Sequence, residues 1–422
     1  MDNLRVEIRK VSDQLVQEQK LPLYEMHILR ATGGEMLNRG FNGRHKTLVV
    51  GGVPRYRVSS QSKKHAVRMK KVTDLNCQTR YFPHILEQKL NESVQDPAAE
   101  ALINSIVEAI FKDSLNDKKN KKKSADALTT KQVIKISAVD VDAFTDIILD
   151  KMKHHSQDDE STDAKREAKA KKIAEECRSI LEQSANSRQL DESEAVYGRM
   201  STDNALSTVY SAVHVNHAYS VNPAAGDYDD FTATDDYLTN YLAQFGTDED
   251  TKQIGSGHMN CVDIGSNVYY EYASLSTRTV FENLMQGRSI DEDTIKWALK
   301  KTYELTEEFI VSYAMTLPSA KQNSMATYAE PMVLYMTRGT GVYPRTFDNA
   351  FEKAIIGTDV ESTGEQAKRR LLSAIEKGMS GAFAVNEYDG QYWFSDGEED
   401  LSRYNGKVQA CSLRDVKKIV EG

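Results

Sequence analysis

Few residues of this chain stand at spacings that could do acid–base or metal chemistry. His214 and His217 are three apart, but they lie in the alternating run Val209–Val221. Positions i and i+3 of a strand point to opposite faces, so a shared metal ion is not expected. His27 falls on the polar face of a strand-like run, Tyr24–Ala31, and reads as a satisfied structural histidine. The carboxylates from Asp227 to Asp236 have the chemistry of a two-metal site, yet their loop-like surroundings read more simply as a solvated tip. Gly255-Ser256-Gly257 and Gly339-Thr340-Gly341 lack the rest of a dinucleotide or phosphate-loop pattern. Cys77, Cys177, Cys261 and Cys411 form no C-x-x-C pair, which argues against zinc and for a reducing compartment, the cytoplasm. We therefore expect no catalytic set, no metal and no cofactor.

The charge pattern is more informative. The 422 residues carry 54 Lys+Arg against 63 Asp+Glu, a net charge of −9. From Met36 through Thr73, however, there is no acid and there are ten bases: Arg39, Arg44, Lys46, Arg55, Arg57, Lys63, Lys64, Arg68, Lys70 and Lys71. A solvated helical face mixes both signs, so this window points to a polyanion. Binding a polynucleotide without reading its sequence needs Lys and Arg to neutralise phosphates, together with hydroxyl, amide and helix N-terminal donors. The stretch Arg57–Arg68 supplies all of these. The opposite pattern follows Arg199: Met200 through Thr251 holds no Lys or Arg and many Asp. Such a segment cannot grip phosphates; any contact with nucleic acid must come through apolar or aromatic contact with bases, or by repelling the backbone.

These side chains need elements to hold them. Leu4, Ile8, Val11 and Leu15 recur at helical spacing and predict a short amphipathic helix with no secretory signal character. After the strand Tyr24–Ala31, TGGEMLNRGFNGRHK reads as a long loop, and TLVVGG and PRYRVSS as extended segments split by a turn. A helix beginning near Ser60 or Ser62 places Lys64, Arg68 and Lys71 on one face and Ala66, Met69 and Thr73 opposite, so its charges are expected to turn outward. Residues 76–191 read as a helical, polar insertion, with Ile173, Cys177 and either Ile180 or Leu181 as a narrow apolar stripe. Strand signal returns at Val209–Val221, Asn267–Leu275 and Met332–Arg338, and helices are predicted over Asp291–Met315, Asn349–Ile355 and Glu365–Gly378. No run of about 18 apolar residues exists, so no membrane span or membrane partner is expected. The fold class is α+β, one sheet covered by helices.

Several segments occur in one order: HILRATGGEMLNRG with RYRVSSQSKKHAVR, then YGRMSTDNA, HAYSVNPAAGDYDDFTATDD, GSNVYYEYASL and LPSAKQNSMATYAEPMVLYM. In this the chain resembles the repeated CRISPR-RNA-binding backbone subunit of the type I-E Cascade complex, the CasC-type, Cas-seven family of the RAMP superfamily. The likeness is strong over most of residues 24–73 and 197–355. It is poor before Leu23 and across Asp113–Asp191, and loose after Thr358.

The resemblance implies a modified RNA-recognition-motif (ferredoxin-like) palm with an inserted helical fingers subdomain and a protruding thumb. The palm would comprise residues 23–75, 195–218 and 258–422, the fingers 76–194 and the thumb 219–257. Copies would polymerise head-to-tail along one guide RNA, presenting its bases to target DNA beside the other Cascade subunits (large, small, guide-5′-end-binding and guide-processing), without catalysis. Carried over residue by residue, Asn38, Arg39 and Lys46 come from the loop after the first strand, and Ser59, Gln61, Lys64 and Arg68 from the start of the basic helix. In Gly198-Arg199-Met200, Met200 matches a base-wedging methionine, and Phe231 falls where the thumb presents an aromatic. Arg57 joins them on charge alone, and Arg199 is counted beside Met200 as an expected RNA contact. His65 departs from the pattern, standing where an arginine is common. The competing expectation is a ribonuclease of related fold that processes repeat RNA; His27, His45 and His65 are its nearby acid/base candidates.

Overall fold

A computed structural model describes residues 2–71, 77–97, 99–115, 128–157, 162–233, 235–246, 258–318, 320–397 and 399–422. Its strands are β1 (Leu23–Glu35), β2 (Thr47–Val50), β3 (Val53–Val58), β4 (Cys77–Thr79), β5 (Ile134–Ile136), β6 (Val213–Val215), β7 (Ala218–Ser220), β8 (Asp227–Ala233), β9 (His258–Ser276), β10 (Val333–Gly339), β11 (Gly390–Phe394) and β12 (Gln409–Ala410). The main sheet runs β12-β11-β10-β1-β9-β7-β3-β2, with β6 and β8 also on β9. All of its pairs are antiparallel except β11 with β12. The fold is α+β, a central sheet with helices on it.

The helices are α1 (Asp2–Gln17), α2 (Ser60–Arg68), α3 (Phe82–Val94), α4 (Glu100–Ile110), α5 (Ala138–His154), α6 (Asp163–Ser184), α7 (Glu192–Tyr197), α8 (Asp236–Phe245), α9 (Thr277–Met285), α10 (Glu292–Met315), α11 (Gln322–Met325), α12 (Asp348–Phe351), α13 (Thr363–Ser380) and α14 (Val416–Glu421). Tyr24, Met26 and Ile28 of β1 pack into one core with Phe281, Phe309 and Ile310 of α9 and α10. Leu29, Tyr270 and Tyr335 face the other way, against Phe351, Leu371 and Ile375 of α12 and α13. The sheet is thus covered on both sides, and the face of β1 expected to be polar is buried as well, Glu25 and His27 included. A strand covered on both faces need not alternate, and its few polar groups must then be paired internally.

Other expectations are refined. β1 continues to Glu35, into the segment read as loop. The Val209–Val221 run is two strands, not one. Asn216 Oδ1 accepts the Tyr272 backbone N–H at 2.9 Å while the Asn216 N–H donates to the Tyr272 carbonyl at 3.0 Å. A side-chain amide therefore stands in the ladder and breaks it between β6 and β7. The helix read over Asn349–Ile355 is only α12. The insertion has its own core, built from Phe82, Ile106, Phe111, Phe144, Ile173, Cys177 and Leu181, and adds the small β4–β5 ladder. The 19-residue β9 serves two parts: Ile264 back to His258 pairs with β8 in a hairpin whose first strand is exposed throughout, and Gly265–Ser276 lies in the sheet against β1. The hairpin's second strand is thus formed by residues that the sequence reading gave to the palm.

Candidate nucleic-acid interface

The segment from Glu35 to Arg68 is fixed by a chain of short polar contacts. Buried Glu35 accepts from the Leu37 N–H at 2.7 Å, Tyr269 Oη at 2.6 Å and Asn267 Nδ2 at 2.9 Å. The Asn38 carbonyl accepts from the Lys46 N–H at 2.9 Å, and Asn38 Oδ1 from the Ser59 N–H at 3.0 Å. Ser59, not Ser60 or Ser62, is the cap of α2, its Oγ accepting from the Ser62 N–H at 3.3 Å. Asn38 and Ser59 thereby set the position of the helix start, and Gln61 is exposed in its first turn.

Next to that helix start lies a cationic cluster. The Arg57 N–H donates to the Lys46 carbonyl at 2.8 Å, so the two are cross-strand neighbours. Arg57 is also in register with Tyr219, two residues beyond His217. Lys46 and Arg57 are half-buried and His217 is exposed. The Ser60 N–H donates to His217 Nδ1 at 3.1 Å. A ring nitrogen that accepts carries no proton, so this tautomer holds its hydrogen on Nε2, free to donate outward. Partial burial, then the charges of Arg57 and Lys46, hold the His217 pKa below its ordinary value of 6.5. The arrangement offers two cations and a neutral N–H donor beside a helix N-terminus, which is the chemistry of phosphate binding. Sequence reasoning weighed His217 only as a metal ligand; its place here depends on β7 lying beside β3.

The other bases of the acid-free window divide. Arg39, Arg44 and Lys70 are exposed, and the Arg44 guanidinium lies 5.9 Å from the Tyr228 ring of the hairpin. Arg55 is buried and gives its Nη groups to the Ser220, Val221 and Glu352 carbonyls at 3.0, 2.7 and 3.0 Å. Lys63 is buried too, with Nζ 2.6 Å from Glu271 Oε2, while Arg30 Nε lies 2.8 Å from Glu271 Oε1. The helix therefore does not turn all its charges outward as its sequence face suggested. Lys63 and Val67 face the core, and Met69 is exposed. Lys64 and Arg68 are half-buried: Lys64 Nζ donates to the Val213 carbonyl at 3.0 Å and Arg68 Nη2 to Gln78 Oε1 at 3.0 Å. Burial lowers the Lys64 pKa. The expectations for the Lys71 and Thr73 side chains lie outside the described residues.

Arg199 corrects the sequence reading most clearly. It is only 4% exposed. Its Nη1 lies 2.6 Å from Asp140 and 2.5 Å from Glu194, and its Nε and Nη2 reach the Ser207 carbonyl and hydroxyl at 2.9 and 3.1 Å. A guanidinium spent on two buried carboxylates has no charge to offer a phosphate. The next residue does the opposite: Met200 is 84% exposed. Arg199 forms a two-bond bridge with Val209, extended backbone that sends successive side chains to opposite sides. Gly198 before it has φ +70° and passes so close to Val209 and Ser211 that a Cβ would lie 2.6 Å from the Val209 oxygen. Phe231, on β8, is 38% exposed opposite Asn260.

The histidines weighed as catalysts are differently placed. His27 is buried, shares a 3.0 Å hydrogen bond with Tyr270 Oη, and burial pushes its pKa down to about 3. His45 is buried between Glu35 and Asp263, and His65 is exposed beside Arg68. Among the described residues no group of three or more His, Cys, Asp or Glu could hold a metal ion. Likewise, no described helix is long and apolar enough to cross a membrane.

With this geometry in place, comparison defines the class. The profile of the CT1975-like protein family matches residues 24–419, and the chain belongs to that family. No curated protein matches the chain significantly. Among solved structures, a chain described as "CRISPR RNA-guided surveillance complex, pre-nicking" superposes with a TM-score of 0.71 at 21% identity, covering 94% of this chain and 99% of that one. Another, described as "CRISPR RNA-guided surveillance complex", gives 0.64 at 18% identity with the same coverage. The chain shares their fold over nearly its whole length; the family match starts after α1, at Tyr24 of β1.

Proposed function

We propose that this chain is a guide-RNA-binding backbone subunit of a CRISPR surveillance complex, packing against further copies of itself along the RNA and presenting the guide to target DNA. The observation that carries the reading is the convergence of Lys46, Arg57 and His217 at the N-terminus of α2. This is a sequence-independent phosphate grip in a chain whose net charge is negative. Family membership and the shared fold support it. Asn38 and Ser59 hold the grip in place; Arg39, Gln61, Lys64 and Arg68 flank it, and Met200 and Phe231 supply apolar contacts to bases.

The role is non-catalytic in this reading. His27 is sealed in the sheet and both ring nitrogens of His45 are engaged, so neither can reach an RNA bond; exposed His65 has Arg68 Nη2 at 3.3 Å from its Nδ1. The subtype we assign is I-E, from the order of the sequence motifs, with the large, small, 5′-end-binding and processing subunits of that complex as partners. Expression with its neighbouring genes, followed by sizing and sequencing of bound RNA, tests the whole. A ladder of protein copies on CRISPR RNA is expected. Recovery of RNA-free monomer sinks the reading, and a different set of co-purifying subunits overturns the subtype alone.

A further inference from the structure

A second cationic site lies at a cavity of about 750 Å³ between α12, the loop before it, and the C-terminal half of α13 with its following turn. Arg345, Lys353, Arg370 and Lys377 line it, and among the described residues no Asp or Glu does. None of the four makes an ion pair with a described carboxylate. Two are fixed in place by neutral groups. Arg345 Nη1 donates to the Gly378 carbonyl at 3.1 Å and its Nη2 to the Phe383 carbonyl; Arg370 Nη1 donates to the Lys353 carbonyl at 2.6 Å. Carbonyls orient a guanidinium without cancelling its charge, so the cavity keeps a strong positive field. The acids next in sequence, Asp348, Glu352 and Glu376, do not line it; Asp348 accepts instead from Tyr219 Oη at 3.0 Å and Thr346 Oγ1 at 2.5 Å. Phe383 lines the same cavity and is 82% exposed.

Position strengthens the case. Arg55 on β3 ties down α12 through the Glu352 carbonyl, and Arg57, two residues on, points to the same side of the strand. The cavity and the cluster at α2 therefore share one sheet face. Fixed cations around an open aromatic ring match a single-stranded polynucleotide, with phosphates on the cations and a base on the ring.

We propose that this cavity is a second phosphodiester-strand site, distinct from the grip at α2, that takes a single strand with a base stacked on Phe383. Guide RNA and target DNA present the same backbone chemistry, and the probe strands separate them. The inference goes beyond the proposed function and stands or falls apart from it.

The test uses the full chain freed of RNA, with (dT)20 and U20 carrying photoreactive 5-iodo-pyrimidines. Lys353 and Lys377 are exposed, so Lys353→Ala/Lys377→Ala is expected to keep the wild-type melting profile. We expect a cross-link at Phe383, and a fall in the salt slope of strand binding by about 1.4 in the double variant, the value for two phosphates on a single strand. In a Lys46→Ala/Arg57→Ala background the Phe383 cross-link should persist, which isolates this site from the first. Cross-linking by U20 alone assigns the guide, and by (dT)20 alone the target. No cross-link at Phe383, or an unchanged slope, overturns the proposal. So does a double variant that binds strands normally but no longer associates with other copies, which would make the cavity a dock for an acidic protein segment.

Discussion

His45 Nδ1 lies 2.9 Å from Asp263 Oδ2, and the backbone N–H of the same histidine reaches that oxygen at 3.0 Å. On its other side, His45 Nε2 faces the Glu35 carbonyl oxygen at 2.8 Å. Carboxylate and carbonyl can only accept, so both ring nitrogens must donate and the ring is an imidazolium. Asp263 belongs to the part of β9 that pairs with β8. One buried cation therefore joins the loop carrying Arg39 and Lys46 to the root of the projecting hairpin.

That clamp sets a pH dependence. Burial alone would lower the His45 pKa, but its hydrogen bonds to Glu35 and Asp263 and their charges outweigh it and raise the value above 6.5. A raised folded-state pKa gives stability that is complete below about pH 6.5 and is lost as pH rises through the folded value. Wild-type melting temperature should therefore fall over that range, whereas His45→Gln should show a flatter profile. Equal slopes for the two proteins would mean that His45 is neutral in the fold.

Arg57 and Arg199 should behave in opposite ways. Arg57→Ala is expected to fold normally and to reduce the salt slope of guide-RNA binding by about 0.7, the single-strand value for one phosphate, as is Lys46→Ala. Arg199→Met should leave that slope unchanged but cost about 3–5 kcal/mol in urea unfolding, because Asp140 and Glu194 lose their counter-charge in the interior. Burial, then Asp140, push the Glu194 pKa up to about 8 even with Arg199 present. Without the guanidinium Glu194 should hold its proton more tightly still, so the deficit should shrink toward acid pH.

The cluster Arg30–Glu271–Lys63 should be the anchor of α2. Glu271 is held down to about 2, because Arg30 and Lys63 outweigh the strong upward push of its burial. Its contribution is complete above the ordinary value of 4.5 and disappears as pH falls toward 2. Glu271→Ala leaves two buried cations unpaired and should cost about 3–5 kcal/mol. RNA binding should weaken in parallel, since α2 carries the helix start beside His217. Destabilisation with unaltered RNA affinity per folded molecule would separate the anchor from the grip.

Met200→Ala should change unfolding free energy by no more than about 0.5 kcal/mol, the range for exposed positions. If the side chain inserts between bases, assembly on RNA should loosen while the salt slope holds. Sedimentation of the variant with guide RNA reads this directly, and wild-type assembly would remove Met200 from the interface.

Local physics made much of this molecule legible in its sequence. Apolar spacing marked α1, α10 and α13; the Gly-Gly turn marked the β2–β3 hairpin, where both glycines take positive φ; and the acid-free window marked the cationic region. What the sequence could not express was which charges stay accessible. Arg55 and Arg57 lie two residues apart on one strand face, yet α12 covers the first and leaves the second half-open. Lys63 and Lys64 are adjacent, yet one helix rotation sends the first to Glu271 and the second to a carbonyl at the rim. Arg199 and Met200 exchange the roles that composition alone would assign to a cation and a thioether. Burial of a charge depends on groups hundreds of residues away, and the cavity at Arg345 shows the same in reverse: its cations are scattered among acids in sequence and are gathered only by helix packing.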